Sequence, residues 1–352
     1  MTLPVPITSA TGIAVVIPTF KARQTILDVI AMIPAIVTMV YVVDDCCPEK
    51  TGDLVASDCR DPRVRVLRHA VNQGVGGAVM TGYQAAIADH MDVIVKIDSD
   101  GQMDPALIEY FVRPILNGDA DYTKGNRFFD MASVEQMPRR RVFGNAMLSI
   151  MSKFSTGYWN IFDPTNGYTA IHGRVAGLLP FARINKRYFF ETDVLYYLSV
   201  FRAAVRDIPM RSHYGQEVSG LKISRIVGPF FYLHIAKFFR RILSQYFVRD
   251  FSFASLCIAI GLPTLLFGMI HGGFTWWHAL SSSVPTPIGT VMLIALSIIL
   301  GMQLLLAFFA ADTASVPRSA IHPLLPTRTV APLKQFDAPA EPAPSKPHAG
   351  NA

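Results

Sequence analysis

Short, uninterrupted apolar runs recur through the first third of the chain: IAVVIP at 13–18, MVYVV at 39–43, VRVL at 64–67 and VIVKI at 93–97. They are rich in β-branched residues and too short for ordinary helices, which suits strands of a parallel sheet buried on both faces. Helix-compatible stretches lie between them, at about 23–33, 50–58 and 76–90. Strands alternating with helices predict a doubly wound α/β sheet. In such a sheet, ligands bind beyond the carboxyl ends of the strands. Polar residues fall at those ends: Thr19 follows the first run, Asp44 and Asp45 the second, and Asp98 and Asp100 the fourth.

The pattern changes from about residue 126. PRRRVFGNAMLSIMSKF reads as a helix with a basic start, and FFETDVLYYLSVF as another. Residues 228–250 mix aromatics with Lys237, Arg240, Arg241 and Arg249, the make-up of an amphipathic helix lying in a membrane interface. Two runs free of Asp, Glu, Lys and Arg follow, at 251–277 and 288–311. Each is long enough to cross a hydrocarbon layer of roughly 30 Å. Trp276 and Trp277 sit at one end like an interfacial belt, and Lys and Arg flank the outer ends of the pair. The positive-inside rule then predicts an integral membrane protein with its large domain and tail in the cytosol. The expected organisation is a catalytic domain over 1–227, a juxtamembrane helix over 228–250, membrane helices over 251–277 and 288–311, and a disordered Pro- and Ala-rich tail over 312–352.

Composition agrees. The 352 residues are 51% hydrophobic and only 16% charged, too apolar for a typical soluble chain of this length. The net charge of +6 raises the question of nucleic acid, but its placement beside the apolar runs argues for a membrane and against a nucleic-acid partner. Cys46, Cys47, Cys59 and Cys257 form no CxxC pair, so reduced, intracellular thiols without a zinc site are expected. MTLPVPITSA lacks the basic start and apolar core of a secretory leader.

The chemistry concentrates in KIDSDGQMDP at 96–105. Asp98, Asp100, Gln102 and Glu109 meet the spacing of an EF-hand loop, but its sharp turn needs Gly where Met103 stands. An aspartyl phosphatase would use Asp98 as a nucleophile, although that motif normally follows the first strand. The third reading is a divalent cation site: two carboxylates at i and i+2 on a strand end point to the same side, and Mg²⁺ is usually held by one or two carboxylates plus substrate phosphates. Asp104, before Pro105, reads instead as a helix N-cap. NQGVGGAVMTGYQAA, with Gly76 and Gly77, is a glycine-rich helix start whose amides could face an anion, but it lacks the Lys-Ser/Thr of a P-loop.

Together VVIPTF, VVDD, NQGVGGA, DSDGQMDP, GNRF and DPTNGY, in this order and spacing, resemble the GT-A glycosyltransferases of family 2 over roughly residues 13–225. With the apolar hairpin, the pattern is most similar to the polyprenyl-phosphate branch, whose members use dolichyl or undecaprenyl phosphate. The resemblance implies inverting transfer of a sugar from a UDP- or GDP-linked donor to a polyprenyl phosphate, with Mg²⁺ or Mn²⁺, at a bacterial inner membrane; a homo-oligomer is compatible with it. It implies that Pro18, Thr19, Asp44, Asp45, Gly76, Gly77 and Gln102 lie around the nucleotide-sugar. Asp98 and Asp100 would hold metal and diphosphate, and Arg127 would join them in catalysis. Arg127, Arg140, Arg141, Asp163, Asn166, Glu191 and Asp193 would face the acceptor. A phosphate monoester is already anionic near neutral pH, so no single general base is required. Two departures touch nucleotide choice: Lys21 and Ala22 replace an expected Asn-Glu, and Cys46 and Cys47 follow Asp-Asp. A transferase acting on another glycan or lipid, and a degenerate nucleotide-sugar-binding module, are the alternatives. His172 and His213 are expected to be structural.

Overall fold

The computed structural model describes residues 11–129, 139–210 and 223–326. A seven-stranded sheet forms the centre: β1 (Ile13–Thr19), β2 (Met39–Asp44), β3 (Val64–Arg68), β4 (Val93–Lys96), β5 (Tyr122–Asn126), β6 (Thr169–His172) and β7 (Val205–Pro209). The order is β3-β2-β1-β4-β6-β5-β7, and only β6 runs antiparallel to its neighbours. The helices are α1 (Ile26–Ala31), α2 (Thr51–Asp58), α3 (Val75–Ala88), α4 (Ile108–Leu116), α5 (Arg139–Thr156), the single turn α6 (Gly173–Ala176), α7 (Phe190–Phe201), α8 (Ile223–Leu243), α9 (Phe253–Ser282) and α10 (Ile288–Ala314).

The continuous apolarity of the strand runs has the expected cause, since both faces of the sheet are covered. Ala14 and Val16 of β1 face α3 and α7, in a cluster with Ala78, Tyr83 and Leu195. Ile13, Val15 and Ile17 face α1 and α4, with Ile26, Val29 and Phe111. Each fully buried Val or Ile stabilises by about 1.5–3 kcal/mol.

α9 and α10 pair as a hairpin, and each is long and apolar enough to cross a membrane. Small residues set their separation: a side chain on Gly301 would meet the Leu265 backbone, and one on Gly261 would meet Leu304. α8 is amphipathic in an unforeseen sense. Its outer face carries Phe231, Tyr232, Phe239 and Leu243, all exposed, whereas two of the cations assigned to the interface turn inward. Lys237 pairs with Asp193 at 2.8 Å and lies over the rings of Tyr196 and Tyr197. Arg241 is buried against Asp312 in the last turns of α10, with Nη1–Oδ1 at 2.6 Å and Nη2–Oδ2 at 3.0 Å. Tyr246 and Trp159 also donate to Asp312, and Arg241 Nε donates to the Phe154 carbonyl. Buried charges must be paired and hydrogen-bonded, and this pairing fastens hairpin, α8 and catalytic domain together.

The expectation of a disordered tail from residue 312 is corrected for its described part. Residues up to 326 return to the sheet. Asp121, fully buried, accepts from the backbone amides of Ala204, Ile321 and His322 and from His322 Nδ1. The His322 ring stacks on His172 at 4.1 Å. His172 also caps α6 by accepting from Arg174 N, so its role is structural, as expected; His213 lies outside the described residues.

Two outcomes are expected. Asp312→Ala leaves Arg241 as an unpaired buried charge and should cost about 3–5 kcal/mol, whereas Arg241→Met combined with Asp312→Leu should cost much less; thermal unfolding of the full chain in detergent reads both. His234, buried against Ser155, has its imidazole pushed down to about 4 by burial. The unfolded chain therefore binds the extra proton first, and stability present above pH about 6.5 is lost as pH falls toward 4. Between pH 7 and 5, wild type should lose about 2 kcal/mol more than His234→Asn.

Candidate active site

β4 ends at Lys96, and the SDG turn carries Asp98 and Asp100 past the carboxyl edge of the sheet. Gln102 N donates to Asp100 Oδ1 at 3.0 Å, Thr25 donates to the Ser99 carbonyl at 2.6 Å, and Gly101 takes a φ of 75°. The turn is thus held from both sides. Asp104 accepts from Ala106 N at 2.9 Å, just before Pro105, so it is the N-cap that its position suggested. The ammonium of Lys96 lies 2.6 Å from Asp98 Oδ1, so part of the local negative charge is balanced within the protein.

The second strand end is also more self-contained than expected. Asp44 accepts from Cys47 N and Gly52 N, both at 2.7 Å, and so shapes the turn into α2. Asp45 is buried and accepts from Gln73 N at 2.8 Å, Gly74 N at 2.7 Å and the His69 ring at 2.7 Å. The glycine-rich turn therefore does hold an anion, but a resident one. Gly77 N donates to the Lys186 carbonyl, and a side chain on Gly76 would strike Phe190 and the Asn185 carbonyl. These glycines allow α3 to lie against residues 185–190, and the Gly77 amide is taken up by the Lys186 carbonyl. Pro18 pairs with Val43 in the ladder, and the buried Thr19 hydroxyl donates to the Ile17 carbonyl.

On the other side of β4, Arg127 follows β5. Its Nε and Nη2 meet buried Asp163 at 2.7 and 2.9 Å, which sets the guanidinium plane. Asn166 accepts from Tyr168 N, and its carbonyl receives the ammonium of Lys124. Asp193 is turned away from the edge: it accepts from Asn185 N and pairs with Lys237, so it joins α7 to α8. Glu191, one position from the buried face of α7, interacts with Lys96 and Lys124. Burial pushes its carboxyl up to about 7 and the Lys124 amine down to about 8. Arg140 and Arg141 stand in the first turn of α5, and their side chains lie outside the described residues.

The sequence reading missed a row of polar side chains beneath the edge. Lys96, Thr169, Lys124 and Asp207 occupy adjacent register positions on β4, β6, β5 and β7. The available signal was the lysine inside the apolar run VIVKI, because a lysine within a buried strand must have a partner; Lys124, in the polar stretch YTKGN, gave no such signal. Asp207 accepts from Asn126 Nδ2 and Phe162 N, and burial raises its carboxyl to about 6.

The donor set suits a hard divalent cation. Asp98 and Asp100 stand two positions apart and partly open, and no cluster of three His, Cys, Asp or Glu able to hold a metal occurs among the described residues. Protein ligands would therefore be few and the remainder supplied by phosphate oxygens and water, the usual arrangement for Mg²⁺.

The chain is similar in sequence and in fold to known proteins. The model of the family "Glycosyl transferase family 2" matches residues 14–179. The UDP-N-acetylglucosamine–dolichyl-phosphate N-acetylglucosaminyltransferase of Methanococcus voltae is 28% identical over 43% of this chain and 60% of that protein. The polyprenol monophosphomannose synthase of Mycolicibacterium smegmatis is 28% identical over 51% of this chain and 69% of that one. Among solved structures, glucosyl-3-phosphoglycerate synthase from Mycobacterium tuberculosis, in complex with phosphoglyceric acid, superposes with a TM-score of 0.51 at 19% identity, covering 67% of this chain and 81% of that chain. That likeness concerns the fold.

Asp45→Ala should leave the Gln73 and Gly74 amides without their acceptor. A loss of about 3 kcal/mol is expected, since hydrogen bonds to charged groups contribute about 1.5–3 kcal/mol each. Chemical denaturation would read it, and unchanged stability would mean that these amides are satisfied elsewhere.

Proposed function

Residues 14–179 form a glycosyl transferase family 2 domain, and on that premise we propose that the protein transfers a sugar, with inversion, from a nucleotide-sugar to a polyprenyl phosphate at the cytosolic face of a membrane. One observation carries the acceptor class. The buried Arg241–Asp312 pair, with Trp159 and the Phe154 carbonyl, fastens the domain to an apolar hairpin, which supports a site of action close to lipid. A lipid phosphate is the acceptor that such a tether favours.

The donor lies over the carboxyl ends of β1, β2 and β4, bounded by Pro18, Thr19, the Asp44 and Asp45 turns and Gln102. The glycine-rich turn at Gly76 and Gly77 supports that wall through residues 185–190. A divalent cation, Mg²⁺ or Mn²⁺, held by Asp98 and Asp100 would neutralise the departing diphosphate. Arg127, oriented by Asp163, positions the acceptor phosphate, and Asn166, Glu191, Arg140 and Arg141 are the further candidates for contact with the acceptor. The phosphate oxygen is already ionised, and the chain's work is to bring it in line with the sugar and to exclude water.

The test is a panel of UDP- and GDP-sugars with the full chain in membranes containing undecaprenyl or dolichyl phosphate, reading glycolipid. Formation of a polyprenyl-phosphate monosaccharide is expected. Donor hydrolysis alone, or transfer only to a glycan primer, would sink the proposal. Asp100→Asn should lower transfer by at least about 100-fold, with folding and membrane insertion intact.

A further inference from the structure

Lys96 is the residue whose presence the proposed reaction does not by itself require. It ends β4 on the face packed by α3 and α7, with its side chain only 2% exposed and its ammonium 2.6 Å from Asp98 Oδ1. The Asp98 side chain is 30% exposed and stands at the boundary. The cation is thus inside and the carboxylate outside, so a ligand reaches Asp98 without touching Lys96. Gly167 closes the pair from the DPTNGY turn: a Cβ there would lie 2.3 Å from Lys96 Nζ and 2.5 Å from Asp98 Oδ2. The Phe190 ring packs at 5.8 Å from the ammonium.

A lysine buried at a strand end is costly unless paired, and the partner used here is one of the two carboxylates that face the donor. Resting on the donor reading above, we propose that Lys96 is a positioning residue that makes metal binding conditional on the donor. Its ammonium already balances the charge of Asp98, so an arriving divalent cation meets a carboxylate whose charge is offset from inside the protein. Coulomb repulsion from a fixed cation a few ångströms away weakens the binding of the bare ion. Diphosphate oxygens supply the missing negative charge and ligands. The cation is therefore held when it arrives with the nucleotide and is held poorly alone. The ordering is a property of the protein's own charge pair.

Binding of Mn²⁺ to the full chain in detergent, followed by its EPR signal with and without UDP or GDP, tests this. In wild type, nucleotide should tighten Mn²⁺ binding strongly. Lys96→Met should tighten binding of Mn²⁺ alone by about tenfold and shrink the gain from nucleotide, while turnover at saturating Mn²⁺ falls. Gly167→Ala keeps both charges but forces the pair apart. It should shift the affinity for Mn²⁺ alone in the same direction, by at least about threefold, without creating a neutral site in the core. A lysine with a purely structural role would lower the unfolding midpoint and leave Mn²⁺ affinity unchanged. Unchanged affinity in whichever of the two variants folds, or no Mn²⁺ binding by wild type even with nucleotide present, overturns the proposal. The two readings fail separately: shifted Mn²⁺ affinity without glycolipid product removes the acceptor assignment alone, and glycolipid formation with unshifted affinity removes the role of Lys96 alone.

Discussion

A carboxylate withdrawn from water must be met by donors, and around this sheet that requirement sets most of the geometry. Asp44 shapes the turn into α2, Asp45 gathers the glycine-rich turn, Asp163 orients Arg127, and Asp121 receives the returning chain. Each is buried, and Asp45, Asp121 and Asp163 take donors from backbone or side chains that are distant in sequence. The parallel arrangement makes this necessary, because several strands end together and their loops must be tied to one another there. Asp98 and Asp100 remain nearer the solvent boundary, where a ligand can compete for them.

Much of this was legible beforehand. β1 to β4 and α1 to α3 lie where apolar continuity and helix-compatible stretches put them, and the hairpin was visible from length and lack of charge. The placement of Asp98 and Asp100 at one edge followed from strand alternation. Partners across the sequence were not legible. Nothing near Asp45 announces that its carboxylate takes amides 28 and 29 residues away. Arg241 and Lys237 were read by composition as cations for a lipid surface, and their actual partners, Asp312 and Asp193, lie in other segments. Periodicity reports which residues are buried, but it does not report which buried charges meet.

The apolar outer face of α8 and the inward turn of two of its cations belong together. An inward Lys or Arg brings an acid with it and leaves the aromatics to face outward. The helix thus presents Phe231, Tyr232 and Phe239 to its surroundings, while Lys237–Asp193 ties it to the domain behind and Arg241–Asp312 ties it to the hairpin. The site and the apolar surface are in this way parts of one mechanical body.

The return of residues 315–326 to the sheet adds a second fastening. The hairpin leaves the catalytic domain through α8 and comes back to Asp121, so it is clamped at both feet. At 1.5 Å per residue, the 30 residues of α9 extend about 45 Å, more than the roughly 30 Å of a hydrocarbon layer. A helix that long accommodates by leaning. With one foot free, the hairpin could lean by itself. With both held, any lean of the hairpin cannot be taken up at one foot and tips the whole domain with it.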